Sequence, residues 1–546
     1  MTRAIDYLAI GKQKKEQRAS RIPKEWKLPE GTQFPNNVLN VPATCGLLTT
    51  RELEITGDND GVDIVQKIRD RTYTAEEVTR AFCKRAAIAQ QLTNCLTEIF
   101  FDEAIERAKE LDREQNANPE APLRPLHGLP ISLKDSFRIP GQDSTTGLIC
   151  WANSPDTEYS ALPQLLLDLG AILYCKTNIP QTMMTADSDN NIFGRTVNPV
   201  NAKLTAGGST GGEGALIAMR GSVLGIGTDV AGSIRIPSIC NGIYGLRTSA
   251  GMVAYAGQRS PAPPGMAGVP AVAGPMATSL RTCEYLMKVV TEAEPWKYDG
   301  SCLHIPWQNV ERPKRWRIGV VLEDGTCTPW PPVRRTMNES VAKLERAGFE
   351  IVHLSLPDVQ EAIRVTHRFF ALDGCKFVQD RLKEGGEPEV PSVKLVNLAS
   401  IPSATLEDFF ELNAARGRIQ QAYHKLWLAN KLDGILIPGA PTTATPHDTW
   451  GPISYTALWN LLDYPAVILP TGRVASTDAA DDLSNAKHGE ADERNYKIYT
   501  GPEDFEGAPL VVQLVGMQQE DQRLLRLADA VDGVLGDQQS AKLNGH

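Results

Sequence analysis

The sequence predicts an α/β fold in which a sheet is covered by helices on both faces. Three observations predict it. Short apolar runs recur, each bounded by Gly or Pro: Leu129–Leu133, Ala171–Cys175, Val223–Ile226, Ile318–Leu322, Ile435–Ile437, Ala466–Leu469 and Leu510–Val515. Such runs read as strands buried on both sides. Helix-like segments at about 157–169, 332–347 and 519–535 fall between them, so the two kinds of element alternate. The third observation is a complete strand–helix–strand unit over residues 316–355.

Each element has a local reason. Residues 74–90 open with Thr74 and Glu77 in capping-box spacing and continue through Val78, Phe82 and Ala86 at helical intervals, which predicts an amphipathic helix. Within 316–355, Trp316–Leu322 supplies a strand, Val333–Ala347 a helix, Gly348 its C-terminal cap and Glu350–Leu354 the returning strand. The first sixty residues, punctuated by Pro23, Pro29, Pro35 and Pro42, read as an arm, extended or helical, packed on the main body. Residues 61–540 read as one domain. Inside it, Gly472–Lys497 is rich in Asp, Ala, Ser and Asn and lacks an apolar period, which predicts a mobile polar surface insertion. No repeat or low-complexity tract interrupts the pattern.

Composition narrows the function classes. A chain of 546 residues with 42% apolar residues can bury a large core. Its formal charge, 56 basic minus 66 acidic residues, is −10 and is spread without long like-charge blocks, so nucleic acid is not an expected partner. The basic stretch at Lys12, Lys14 and Lys15 is not followed by an apolar core of signal-peptide length, and a cytoplasmic protein is expected. Apolar stretches are broken by Asp168, Arg220 and Asp229 before reaching the roughly 18 to 20 residues that cross a bilayer, so no transmembrane segment is expected. The ten cysteines are widely scattered, unlike the paired spacing of zinc sites or a disulfide framework, and read as small buried apolar residues. No metal or cofactor is expected.

The chemistry lies in a glycine-rich centre. Residues 207–214 read Gly-Gly-Ser-Thr-Gly-Gly-Glu-Gly, and a second segment, Gly225-Ile-Gly-Thr-Asp-Val-Ala-Gly-Ser-Ile-Arg235, follows a short apolar stretch. Glycine lets backbone amides approach a ligand closely, so such turns can cradle a phosphate or a developing oxyanion. The Walker phosphate loop requires Gly-Lys-Ser/Thr at its end, and none occurs here. Gly207-Gly-Ser209-Thr-Gly211 satisfies the nucleophile-elbow pattern Gly-x-Ser-x-Gly, but that elbow must directly follow a strand, and Asn198–Thr205 is polar and proline-punctuated. A purely structural role, with the glycines allowing tight packing, stays open from the residues alone.

These two segments resemble the amidase signature, whose pattern is Gly-Gly-Ser-Ser-Gly-Gly followed, after a short helix, by Gly-Thr-Asp-x-x-Gly-Ser-Ile-Arg. The likeness spans about thirty residues and includes Ser209 and Ser233, 24 positions apart. Leu126-His-Gly-Leu-Pro-Ile-Ser-Leu-Lys134-Asp resembles the strand that carries the family's catalytic lysine. Residue chemistry alone does not choose it over Lys176 or Lys203. Further likeness runs through Thr177-Asn-Ile-Pro-Gln, Thr196-Val-Asn-Pro and Tyr244-Gly-Leu-Arg, covers roughly residues 60 to 535, and is strongest toward fungal acetamidase-type amidases. The resemblance implies the amidase signature fold, with a large central mixed β-sheet. Two departures stand out. Thr210 replaces the second serine of the glycine turn, and Ala231 stands where many relatives carry glycine, adding a methyl that could trim the acyl pocket.

What the resemblance implies is a serine hydrolase of carboxamides. Ser233 would attack, Ser209 would relay its proton from an unusual cis peptide, and Lys134 would act as base. For that the amine must be largely uncharged, and burial depresses its pKa from a reference of about 10.4. Backbone N–H groups of Val230, Ala231, Gly232 and Ser233 would hold the oxyanion, and Met183 would lie near the acyl pocket through its backbone. Thr210, Asp229 and Arg235 are expected to hold the shape of the loop. No histidine is needed, although His127 lies near the motifs and keeps a Ser-His-Asp reading open. The expected partner is a small amide substrate such as acetamide, and a homodimer is compatible with this. Alternatives are the same triad acting on a larger amide or ester in lipid or secondary metabolism, and an inactive binding scaffold.

Overall fold

The computed structural model describes residues 5–536. Residues 1–4 of the expected arm and 537–540 of the expected domain lie outside them. Eleven strands are found: β1 (Leu96–Ile99), β2 (Pro130–Lys134), β3 (Ile172–Thr177), β4 (Leu224–Asp229), β5 (Tyr244–Arg247), β6 (Val272–Ala277), β7 (Arg317–Val320), β8 (Glu350–His353), β9 (Gly434–Pro438), β10 (Ala466–Arg473) and β11 (Pro509–Val515). They form one sheet in the order β1-β3-β2-β4-β6-β5-β10-β11-β9-β7-β8. The sheet is mixed. β2 runs parallel to β3 and β4, and β7 parallel to β8 and β9, while the remaining neighbours are antiparallel.

Most strands are buried along their whole length, as their apolar runs require. Alternation then divides them between two helical layers. Val467, Leu469, Val512 and Leu514 pack with the helices Leu280–Glu292, Pro331–Arg346 and Asp521–Leu535. Ile435, Ile437 and Ala466 meet the helices Val359–Phe370, Leu406–Asn430 and Ser454–Leu462 instead. β2 follows the same rule. Ile131 and Leu133 enter the first layer, which turns Ser132 and Lys134 toward the opposite face.

Several local expectations are refined. The helix Ala75–Thr93 is capped by Thr74, whose hydroxyl accepts from Glu77 N, but the reciprocal half of the capping box is missing because the Glu77 carboxylate is drawn to Arg51 at 2.7 Å. Gly348 follows the helix Pro331–Arg346 with φ +89°, the left-handed geometry that lets a glycine end a helix. The Gly472–Lys497 stretch is anchored rather than loose. Asp478 and Asp492 are buried, the first gripping Arg335 at 2.6 Å and the second accepting from Thr328 N at 2.7 Å. Near the N-terminus, the helix Tyr7–Ser20 inserts Lys14 between Glu98 and Asp143 at 2.6 and 2.9 Å. All ten cysteines are unpaired, and seven are buried. No helix among the described residues is long and apolar enough to cross a membrane.

Candidate active site

β2 and β4 are parallel neighbours, with Leu133 opposite Ile226, so their carboxyl ends lie side by side. Ligand sites in open α/β sheets form beyond such ends. Lys134 is the last residue of β2 and is fully buried. Its Nζ lies 2.7 Å from Ser209 Oγ and 2.6 Å from Thr228 Oγ1. Burial pulls the pKa of this amine from the ordinary 10.5 down to about 7, while the charges of Asp229 and Asp135 act in the opposite sense. An amine so placed can take a proton from a hydroxyl near neutral pH.

Ser209 sits in the glycine-rich turn and is joined to Gly208 by a cis peptide bond. The turn enters the helix Gly211–Ala218. Gly207 has φ +80°, and a Cβ there would stand 2.7 Å from Pro237 Cα, so only glycine fits. The packing role of the glycines and their placing of Ser209 are therefore the same fact. Ser233 follows β4, and its carbonyl accepts from Thr210 N at 3.2 Å, which ties the two serine-bearing segments together. Ser209, Ser233, Lys134 and Thr228 line one cavity of about 860 Å³. Among the described residues no hydrogen bond joins the Ser209 and Ser233 hydroxyls. Of the contacts that a Ser-Ser-Lys relay would use, the one present is that between Lys134 and Ser209.

The loop between them is shaped by one ion pair. Asp229 and Arg235 are both fully buried and meet in a two-pronged arrangement, Nε to Oδ2 and Nη2 to Oδ1, each at 3.0 Å. Burial alone would push the Asp229 carboxyl up, but Arg235 and Asn460 outweigh it and hold the group well below the usual carboxylate range. The same carboxylate accepts from Gly232 N at 2.8 Å and Ile234 N at 3.1 Å. Of the expected oxyanion set, the Gly232 amide donates to Asp229, while those of Val230, Ala231 and Ser233 make no bond to that carboxylate.

The backbone of Ala231 lies outside the left-handed region, the ordinary conformation that an alanine demands. The cavity wall here is made by Val230 and Ser233. Gly232 carries the constraint. Its φ is +127°, and a Cβ would meet Thr456 Oγ1 at 2.5 Å. Met183 lines the cavity, and it and Thr182 adopt left-handed backbone with φ of 57° and 72°. Thr210 Oγ1 reaches toward Thr228 O at 3.5 Å.

The structure separates the candidate bases. Lys176 is buried, but its Nζ bonds Asp143 O and Ser144 Oγ at 2.5 and 2.7 Å, and Lys203 is exposed. Neither lines the cavity, nor does His127 or any other histidine. Three contributors were not singled out from the sequence: Thr228, Thr456 and Asn460. Thr456 and Asn460 stand four apart on the helix Ser454–Leu462, so one face reaches both Ala231 O, at 2.6 Å, and Asp229, at 2.9 Å.

A family model described as Amidase matches residues 77–525, which span both glycine segments and all eleven strands. The chain belongs to the amidase family. It is 36% identical to a protein named Amidase from Gibberella moniliformis, over 97% of this chain and 99% of that one. It is also 36% identical to the Acetamidase of Emericella nidulans, over 96% and 97% of the two chains. Among solved structures it superposes on a Fatty acid amide hydrolase with TM-score 0.93 and 32% identity, covering 97% of this chain and 95% of that one. The fold is the amidase signature fold, and this amidase is a hydrolase acting on amide C–N bonds.

Proposed function

We propose that this amidase cleaves carboxamides through an acyl-enzyme on Ser233, with Ser209 as proton relay and Lys134 as base. The observation that carries the reading is the uncharged-leaning amine of Lys134, buried and 2.7 Å from Ser209, in the cavity that Ser233 also lines. Ser233 Oγ attacks the carbonyl carbon while its proton passes to Ser209, whose own proton passes to Lys134. The oxyanion that forms is held by the amides of Val230, Ala231 and Ser233. Collapse breaks the C–N bond as the proton returns along the same path to the departing nitrogen. Water then attacks the acyl-enzyme, gives up a proton by that route, and releases the carboxylic acid.

Two substrate readings follow from the residues, a small primary amide such as acetamide and a larger amide. The cavity favours the larger. About 860 Å³ lies within the ~300–1,000 Å³ range of sites that take drug-sized ligands, far beyond what a two-carbon amide fills. Its lining includes the apolar side chains of Met184, Val269, Phe369, Phe370, Phe377 and Val393, with Asp373, Gln379 and Glu389 among them. A turnover panel from acetamide through benzamide to decanamide, with Ser233→Ala as control, tests both parts. Rates should rise with the size of the apolar group and vanish in the variant. Rates confined to acetamide would reject the larger substrate, and full activity of Ser233→Ala would reject the nucleophile.

A further inference from the structure

The outer wall of the cavity comes from a part of the chain remote from the signature motifs. The helices Lys376–Gly385 and Pro391–Val396 supply Phe377, Val378, Gln379, Val393 and Val396. Between them lies Glu387, 7% exposed. Its carboxylate accepts from Ile149 N at 2.6 Å, Gln181 Nε2 at 2.7 Å and Asn191 Nδ2 at 2.8 Å. Gln181 completes the connection by accepting from Val390 N at 3.0 Å, and Pro388 O accepts from Gln181 and Asn191 at 3.1 and 2.8 Å.

None of these donors lines the cavity itself, but Ile149 and Gln181 each belong to a short segment that does. Ile149 opens the short turn that ends in Trp151, a lining residue. Gln181 directly precedes Thr182 and Met183, which have left-handed backbone and line the cavity that Ser233 also lines. No guanidinium or ammonium pairs with Glu387 among the described residues. A buried carboxylate without a cation is unfavourable unless its hydrogen bonds are complete. Here they are complete only when the turn, the Gln181–Met183 loop and the two outer helices stand in one relative position. An apolar residue could fill this space, but it would not fix these segments in register, because apolar contact is not directional.

We infer that Glu387 is a positioning residue that locks the outer wall to the Gln181–Met183 loop and thereby sets how large an amide substituent this enzyme accepts. The inference rests on the larger-amide reading given above. It touches no reacting atom, so it acts on selectivity rather than on the chemical step.

The test uses the full-length enzyme and compares kcat/KM for decanamide and acetamide. Glu387→Gln keeps the shape but turns an NH₂ group toward the donors, and the decanamide-to-acetamide ratio should fall about tenfold through a higher KM for decanamide. The exchanged pair Gln181→Glu with Glu387→Gln restores one carboxylate between Val390 N and residue 387 but loses the bonds to Pro388 O and from Asn191, so the ratio should recover in part. Glu387→Asp keeps the charge but is too short for all three donors. It should lower the ratio as well, and decides the matter should Glu387→Gln not fold. A parallel loss for both substrates, or a ratio that does not move, overturns the inference. Failure of the underlying reading is separate: the wild type would then turn over no decanamide.

Discussion

Asp229 and Arg235 form a fully buried, two-pronged ion pair whose carboxylate also fixes the Gly232 amide. A substitution that removes one partner leaves the other charge stranded in the core. Arg235→Met should therefore cost about 3–5 kcal/mol of stability, against a median of at most ~1 kcal/mol for exposed pairs. Arg235→Lys should recover little, since an ammonium cannot reproduce the fork or also reach Thr456 O and Gln513 Oε1, both at 2.9 Å. Chemical denaturation of the three proteins checks this, and equal midpoints for wild type and Arg235→Met would refute it.

Gly232 and Ala231 should respond in opposite ways. Gly232→Ala forces an L residue into φ +127° against Thr456 and displaces the amides beside Ser233. Loss of one oxyanion donor lowers kcat by about 10²-fold or more, and a fall of that order is expected. Ala231→Gly keeps the amide and removes only a methyl from a residue already in an ordinary conformation, so activity should stay within about twofold. Steady-state rates of the pair decide it; similar losses in both would remove the basis for the proposed oxyanion set.

Thr228 is the second hydroxyl on Lys134, at 2.6 Å. An acceptor at that distance favours the protonated amine and orients Nζ. Thr228→Val keeps the shape and removes the acceptor, so the pKa of Lys134 should fall further and kcat/KM should drop about tenfold. The acid limb of the pH–rate profile should move to lower pH. A limb that moves upward would mean that the hydroxyl instead favours the neutral amine.

The pH dependence of turnover follows from burial. As the proposed base, Lys134 would have to be uncharged, and burial pulls its pKa from 10.5 down to about 7. kcat/KM should be level above about pH 7 and fall about tenfold per pH unit below it. Stability has its own sign. The unfolded chain binds this proton more readily, so Lys134 makes the fold less stable as pH falls from 10.5 to about 7 and adds nothing further below that. Asp229, held low, contributes stability above the ordinary carboxylate range that is lost as the pH falls toward strong acid. Thermal midpoints across pH resolve the two, since they act in different windows.

Much of this was legible in the sequence where a signal is local. Seven largely apolar runs became strands because a strand buried on both faces needs no alternation. β6 escaped notice, since Gly274 and Pro275 argue against a central strand, yet it pairs with β4 and β5. β1 and β5 carry only four residues each, with Thr97, Glu98 and Arg247 breaking the apolar pattern. Ser209 and Ser233 were marked by their glycine turns, whereas Lys134 was chosen through resemblance, because nothing in one lysine's neighbours in sequence reports its burial. Glu387 was invisible for the same reason. It lies in Lys383-Glu-Gly-Gly-Glu-Pro-Glu389, which reads as a solvated charged turn, and its three donors are 196 to 238 positions away.

The Ser233–Ser209–Lys134 relay is tested by the rate at which a serine-directed fluorophosphonate labels Ser233, measured against pH in wild type and in Lys134→Met. The wild-type rate should decline below about pH 7, and the Lys134→Met rate should be lower by at least about 10²-fold and independent of pH, with the label still on Ser233. Labelling of Lys134→Met at the wild-type rate, or with the same pH profile, would contradict it.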